Sequence, residues 1–178
     1  KFFIDEFLHG IQLKSYKFEK YKTKKTEKVF DIKISFKTNL FKLSTNKRFN
    51  SLLKGISLTK DLVSEPGNIL HPDEYAKRIT QLRKIGLKIT VYDKRKLKKL
   101  GMNALLGVGQ GSIRGSYLVT MEWRGTKSKK KPLAFVGKGV CFDTGGISLK
   151  PAKFREDMTY DMAGSAVVVG LMKNLALR

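Results

Sequence analysis

The sequence predicts an α/β fold, a layered mixed sheet flanked by helices. Three observations support it: apolar residues recur at helical spacing in several segments, strand-like runs alternate with those segments, and Gly or Pro residues separate the two kinds. With 178 residues, 41% of them hydrophobic, the chain is long enough to bury a core. We expect a soft domain boundary near residue 50.

The first part of the chain predicts a helix, two strands and a second helix. Residues 3–13 place apolar side chains at helical spacing. The runs VFDIKISF (29–36) and LFKLS (40–44) alternate in the manner of strands. A new helical pattern begins near Asn50 and stops at EPGN (65–68), because Pro and Gly interrupt regular structure there.

Cap residues mark the elements that follow. Pro72 suits the first position of a helix, and Gly86 suits its end. The run LKITVYD (87–93) alternates as a strand, and Asp93 can cap a short basic helix that ends at Gly101. These signals predict a helix, a strand and a second helix in that order.

The last third of the chain predicts a loop, two strands and a helix. GVGQGS (107–112) is a Gly-rich loop, but it has no Walker lysine and no dinucleotide fingerprint, so a nucleotide site is not predicted. Residues 116–125 form a strand pattern, and PLAFVGKG (132–139) predicts a mostly apolar central strand. Residues 161–178 predict a helix whose first turn carries small side chains.

The net charge of +22 raises the possibility of a nucleic-acid partner. Only 8 of the 37 basic residues are Arg, however, and phosphate recognition favours the bidentate Arg fork. We therefore interpret most of the lysines as solvated surface. The competing hypothesis is a degenerate, non-catalytic remnant whose basic surface binds polyanions.

The remaining composition indicates a cytoplasmic protein. No run of about 18 apolar residues is present, the first residues do not form a signal peptide, and the single cysteine, Cys141, excludes an internal disulfide. Cys141 is predicted to be a buried thiol, because no His lies near it in sequence to activate it. His9 and His71 have no metal-ligand partner at a useful spacing.

The segment 136–162 carries the candidate site. Acidic residues are scarce in this chain, 15 against 37 basic ones, yet Asp143 and Asp161 lie among glycines here together with Lys138 and Lys150. Carboxylates at a strand end and a helix start suit hard divalent cations. A lysine within an apolar strand must pair, shift its pKa or bind something, and a neutral amine can ligate a metal. The alternative is a set of structural ion pairs.

Several motifs resemble the leucyl (cytosol) aminopeptidase family of two-metal exopeptidases. The central ones are GKGVCFDTGGISLKP (137–151) and DMTYDMAGSA (157–166). KDLVSEPGN (60–68), ALLGVGQGS (104–112) and SYKFEKYKTKK (15–25) are also similar to family sequence. The resemblance covers nearly the whole chain, and its central motif is long enough to be specific.

The resemblance implies a role for each candidate residue. Lys138 corresponds to a ligand of the second, tighter metal, Asp143 to the carboxylate that bridges both metals, and Asp161 to a further ligand of the lysine-bound metal. Lys150 corresponds to the catalytic lysine that polarises the scissile carbonyl and stabilises the tetrahedral intermediate. Met158 corresponds to the wall of the pocket for the first side chain, which suits Leu-like residues.

The resemblance also implies the reaction and its setting. It implies release of an N-terminal amino acid from a peptide by two divalent ions, Mn or Zn, in a cytoplasmic homo-hexamer. Residues 1–50 would be the end of an N-terminal domain, and residues 51–178 the first part of the catalytic domain. The family's downstream Asn-Thr-Asp-Ala-Glu-Gly-Arg segment has no counterpart here. We therefore expect three of five metal ligands, at most one bound ion, and no activity from these residues alone.

Overall fold

A computed structural model of the chain describes residues 2–24, 47–127 and 130–178. The predicted strands 29–36 and 40–44 lie outside these residues. The helices and strands in chain order are α1 Phe2–Ser15, α2 Lys47–Ser64, α3 Pro72–Thr80, β1 Lys88–Tyr92, α4 Lys94–Lys99, α5 Asn103–Val108, β2 Leu118–Glu122, α6 Ala152–Arg155 and α7 Ala163–Leu177. Short 3₁₀ helices follow α3 (Gln81–Ile85) and α6 (Glu156–Tyr160).

The α/β fold class is confirmed, although the described sheet is small. β1 and β2 pair antiparallel, with Lys88 opposite Glu122 and Tyr92 opposite Leu118. The sheet, α2, α3 and α7 enclose one apolar core. Its most buried members are Leu62, Leu70, Tyr75, Ile79, Leu87, Ile89, Met162, Ala166 and Val169.

Helices α2 and α7 cross with their backbones in direct contact. A Cβ atom added to Gly55 would lie 2.5 Å from the carbonyl oxygen of Gly170. The hydroxyl of Thr59 donates across this crossing to the carbonyl of Ala166 at 3.1 Å. Since no side chain separates the two helices here, the crossing fixes where the first turn of α7 lies.

The capping predictions are confirmed. Pro72 begins α3, the helical segment ends at Gly86 with φ of 91°, and the side chain of Asp93 accepts from the backbone N–H of Lys96 at 2.9 Å. Gly101 adopts φ of 70° after α4. These local signals act over one helical turn, so they identify the element ends without tertiary information.

The predicted central strand at 132–139 is wrong for the described residues. Residues 131–140 form no strand pairing there. Leu133 and Val136 are 87% and 96% exposed. An apolar run is a strand only when a neighbouring strand satisfies its backbone groups, and within the described residues β2 pairs with β1 alone. The predicted Gly-rich loop is also shorter than expected, since α5 extends to Val108.

A buried carboxylate joins the segment after α1 to α2 and α3. Glu65, only 4% exposed, accepts from Lys20 at 2.6 Å, from Arg78 at 2.7 Å, and from the hydroxyl of Tyr21. Burial alone would raise the pKa of Glu65, but these three donors outweigh it and hold the pKa below its ordinary value.

No helix of the described residues has both the length and the apolar character needed to cross a membrane.

Candidate functional site

The four predicted charged residues lie together as two ion pairs. The ammonium of Lys138 is 2.7 Å from Oδ1 of Asp161, and that of Lys150 is 2.8 Å from Oδ2 of Asp143. The charge on Lys138 also acts on Asp143, so the two pairs share one electrostatic environment. These four residues, which are separated along the sequence, thus form one cluster in the structure.

The backbone at Lys138 lies directly on the first turn of α7. A Cβ atom on Gly137 would be 2.5 Å from the Cα of Ser165 and 2.6 Å from the carbonyl oxygen of Gly164. The backbone N–H of Ser165 donates to the carbonyl of Lys138 at 2.9 Å. The hydroxyls of Ser165 and Tyr75 are hydrogen-bonded at 3.0 Å. Glycine at 137 is thus required for Lys138 to reach Asp161.

A tight turn presents Asp143. Its Oδ1 accepts from the backbone N–H of Gly145 at 2.8 Å, and Gly145 has φ of 90°, a conformation that favours glycine. The turn closes where the N–H of Lys150 donates to the carbonyl of Thr144 at 2.9 Å. The hydrogen bonds from Lys150 and then Gly145 lower the pKa of Asp143, so its carboxylate is anionic at neutral pH.

Lys150 is held at both ends. Its ammonium contacts Oδ2 of Asp143 and the sulfur of Met158 at 2.8 Å each. Its main-chain carbonyl accepts from the guanidinium of Arg155 at 2.7 Å. The contact between Met158 and Lys150 places the predicted pocket residue beside the predicted catalytic residue.

The sequence analysis did not identify three residues that support the site. The backbone N–H of Ser165 holds the carbonyl of Lys138, Tyr75 bonds the hydroxyl of Ser165, and Arg155 holds the backbone carbonyl of Lys150. The glycines that flank Lys138 were the available signal for close contact with a helix. The sequence carries no comparable signal for the partner of Arg155, because that partner is a backbone carbonyl.

Asp161 offers a free lone pair. The carboxylate is 18% exposed, and its Oδ2 is buried without a hydrogen-bond partner. An unsatisfied buried carboxylate oxygen is unfavourable, and a cation would satisfy it. The arrangement of two carboxylates and one amine therefore fits a divalent ion. Among the described residues, no three His, Cys, Asp or Glu side chains are grouped as a metal site.

Lys138 differs from its prediction in one respect. It was expected inside an apolar strand, but its side chain is 59% exposed and the backbone there is not paired as a strand. The hydrogen bond to Asp161 raises its pKa, so the amine is protonated. A metal must displace that proton before the nitrogen can act as a ligand.

The cysteine and the two histidines, which the sequence did not predict to be site residues, have structural roles. Cys141 is buried, as predicted, and burial raises the pKa of its thiol to about 12, so it is no nucleophile at neutral pH. His71 caps α3 by accepting from the backbone N–H of Glu74 at 3.4 Å. The ring of His9 packs on Phe49 at 5.0 Å between centroids.

Comparison with known proteins gives one consistent result. The sequence profile described as the cytosol aminopeptidase family, catalytic domain, matches residues 57–178. A probable cytosol aminopeptidase of Phytoplasma australiense is 52% identical over 175 residues, which are 97% of this chain and 35% of that protein. One of Brucella ovis is 50% identical over 95% of this chain and 35% of its own length. The chain thus spans about a third of the curated relatives that it matches.

The fold comparison agrees with the sequence comparison. The cytosol aminopeptidase of Coxiella burnetii superposes with a TM-score of 0.80 and 26% identity, over 98% of this chain and 36% of that one. The bottromycin maturation enzyme BotP in complex with Mn superposes with a TM-score of 0.75 and 28% identity, over 97% of this chain and 36% of that one.

Proposed function

This chain belongs to the cytosol aminopeptidase family, and from that premise we propose that it forms part of the catalytic centre of a metal-dependent aminopeptidase. The substrate is a peptide, and the reaction releases its N-terminal amino acid. Family membership also supports the division into an N-terminal remnant, residues 1–50, and a catalytic part, residues 51–178. A homo-hexamer and a cytoplasmic location belong to the same proposal and rest on the family resemblance alone.

The observation that carries this proposal is the buried, unpartnered oxygen of Asp161 beside the amine of Lys138. Lys138, Asp143 and Asp161 would hold the metal, with Mn or Zn both compatible with one nitrogen and carboxylate oxygens. Two carboxylates and one amine suffice for one ion and not for a pair. When bound, the ion supplies Lewis-acid polarisation of the peptide carbonyl.

Lys150 provides a fixed positive charge at the site. Its ammonium is fixed by Asp143 and Met158, so it needs little reorganisation to face the negative charge that develops on the carbonyl oxygen. We assign it the catalytic role for this reason. Met158, with a flexible apolar side chain, would contact the side chain of the released residue and favour Leu-like residues.

A metal titration tests the proposal. We expect the chain to bind one Mn²⁺, detected by electron paramagnetic resonance and calorimetry. Asp161→Asn and Asp143→Asn should each weaken the Kd at least about tenfold, equivalent to about 1.4 kcal/mol. Asp157→Asn changes a nearby exposed carboxylate outside the cluster and is the matched control. Equal affinity in all four proteins would show that the cluster is only a set of ion pairs.

A further inference from the structure

Arg155 is a charged residue to which neither the family motifs nor the proposed reaction assigns a role. It is the last residue of α6 and lies between the two central motifs, which cover residues 137–151 and 157–166. The residue is half-buried, and its Nε is shielded from solvent without a hydrogen-bond partner. Its guanidinium donates to the main-chain carbonyl of Lys150 at 2.7 Å. The side chain is therefore packed against the backbone of the proposed catalytic lysine.

The choice of acceptor distinguishes Arg155 from an ordinary surface cation. The next two residues in sequence, Glu156 and Asp157, are exposed carboxylates. Within the described residues Arg155 forms no ion pair with either of them. Charge attraction alone would favour a carboxylate partner, so the bond to a neutral carbonyl indicates that the fold directs this side chain to Lys150.

The carbonyl of Lys150 needs a side-chain donor because of its position in the chain. It lies just before α6, where the N–H of Phe154 donates to the next carbonyl, that of Pro151, at 3.1 Å. Among the backbone hydrogen bonds of the described residues, none ends on the carbonyl of Lys150. A four-residue helix is also too short to be stable by itself. The bond from Arg155 closes a loop around α6 and satisfies this carbonyl.

Fixing the carbonyl of Lys150 also fixes where its ammonium lies. The N–H of Lys150 donates to the carbonyl of Thr144 at 2.9 Å, so with Arg155 both main-chain polar groups of the lysine are bonded. A lysine side chain is long and flexible, and a loose backbone would let its ammonium leave Asp143 and Met158. A positive charge stabilises a developing oxyanion best when it is already held in place.

We propose that Arg155 is a positioning residue for Lys150, because its bond to the main-chain carbonyl keeps the ammonium of Lys150 beside Asp143 and Met158. Arg155 does not touch the reacting atoms. The catalytic meaning of this role rests on the proposed function, whereas the contact itself does not involve the metal. A failed Mn²⁺ titration would overturn the proposed function and leave the effect of Arg155 on Lys150 measurable.

Hydrogen exchange and NMR of the 178-residue chain test this role. Arg155→Met removes the guanidinium and keeps an apolar stem, and the chain should stay folded because Arg155 lies outside the apolar core. We expect the amide of Lys150 to exchange with solvent at least about tenfold faster than in the parent chain. The nuclear Overhauser effect between the side chains of Lys150 and Met158 should fall by at least about half.

Two further variants make the result specific. Arg155→Lys retains a cationic donor for a single bond and should keep the exchange rate within about threefold of the parent. Lys153→Met removes the other cation of α6, which lies 6.0 Å from the ring of Phe154, and should leave both measurements unchanged. Exchange at the parent rate in Arg155→Met would overturn the proposal, as would equal acceleration in Lys153→Met. Equal acceleration at the amide of Gly145 would also overturn it, because Arg155 would then support the whole turn.

Discussion

At the scale of single residues, the structure shows how one buried carboxylate connects distant parts of the chain. Glu65 lies at the end of α2, yet it bonds Lys20 and Tyr21 from the segment after α1 and Arg78 from α3. Its side chain is 2% exposed, so these bonds replace water almost completely. Charge-assisted bonds in such a setting are stronger than ordinary surface ion pairs.

Replacing this carboxylate should change the pH dependence of stability. We expect Glu65→Gln to lower the free energy of unfolding by about 2 kcal/mol at neutral pH. The folded-state pKa of Glu65 lies below its ordinary value of 4.5. Its contribution is therefore complete above that value and is lost as pH falls through the folded pKa. Urea unfolding from about pH 3 to pH 7 measures this.

The control for Glu65→Gln is the same substitution at an exposed glutamate. Glu6→Gln alters an exposed position on α1 and should leave the unfolding free energy within about 0.5 kcal/mol of the parent at every pH. A gap between Glu65→Gln and the parent that persists unchanged at the lowest pH would contradict the assigned role of the charge.

The residue-scale predictions from sequence were most successful where a residue acts on its neighbours along the chain. Pro72, Gly86 and Asp93 each act within one turn, and the structure confirms all three. Lys138 differs because its environment depends on how residues 132–139 pack, which is a tertiary property. The structure brings it to Asp161, as a metal cluster requires, but places it on an exposed, unpaired backbone.

At the scale of elements, the crossing of α2 and α7 positions the site. Gly55 and Gly170 allow the two backbones to touch, and the first turn of α7 then meets the backbone of Lys138. The sequence shows the small residues but not which helix they contact. Helix periodicity identifies the buried face of a helix but not the element that packs against it.

Adding one methyl group at this crossing should separate the helices. A Cβ atom on Gly170 would lie 2.6 Å from the carbonyl oxygen of Gly55. We expect Gly170→Ala to destabilise the chain by about 1–3 kcal/mol, because backbone cannot move aside as a flexible side chain can. Gly10→Ala, on α1 with nothing within 4 Å of the added atom, should stabilise by about 0.5–1 kcal/mol. Denaturant melts of both variants measure the difference; equal effects would contradict the proposed backbone contact.

The missing strand at 132–139 has a physical explanation at the same scale. A helix satisfies its backbone groups internally, so the predicted helices, including 161–178, form from local sequence. A strand depends on a neighbour that sequence patterns do not identify. β1 and β2 were predicted correctly because each supplies the other's hydrogen bonds.

At the scale of the whole molecule, the charged cluster borders a large apolar cleft, because Lys138 lines that cleft together with Leu133 and Val136. Residues 136–142 line the cleft and lead directly to Asp143, so the cleft and the charged cluster share this segment. The family motif located the cluster from sequence because its residues lie within 24 positions of one another. No sequence motif marks the cleft, because residues 131–140 in its wall form no strand pairing within the described residues.

This arrangement leads to a prediction about activity. The described residues bring together two carboxylates and one amine, the set that we propose holds one ion, whereas hydrolysis by a metal pair needs further ligands. We expect the chain alone, supplied with Mn or Zn, to show no turnover of a leucine chromogenic amide above a no-enzyme blank. Asp143→Ala is the control, because it removes a proposed ligand and leaves any contaminating peptidase unchanged. Turnover by the parent chain that Asp143→Ala abolishes would show that one ion and Lys150 suffice for the reaction.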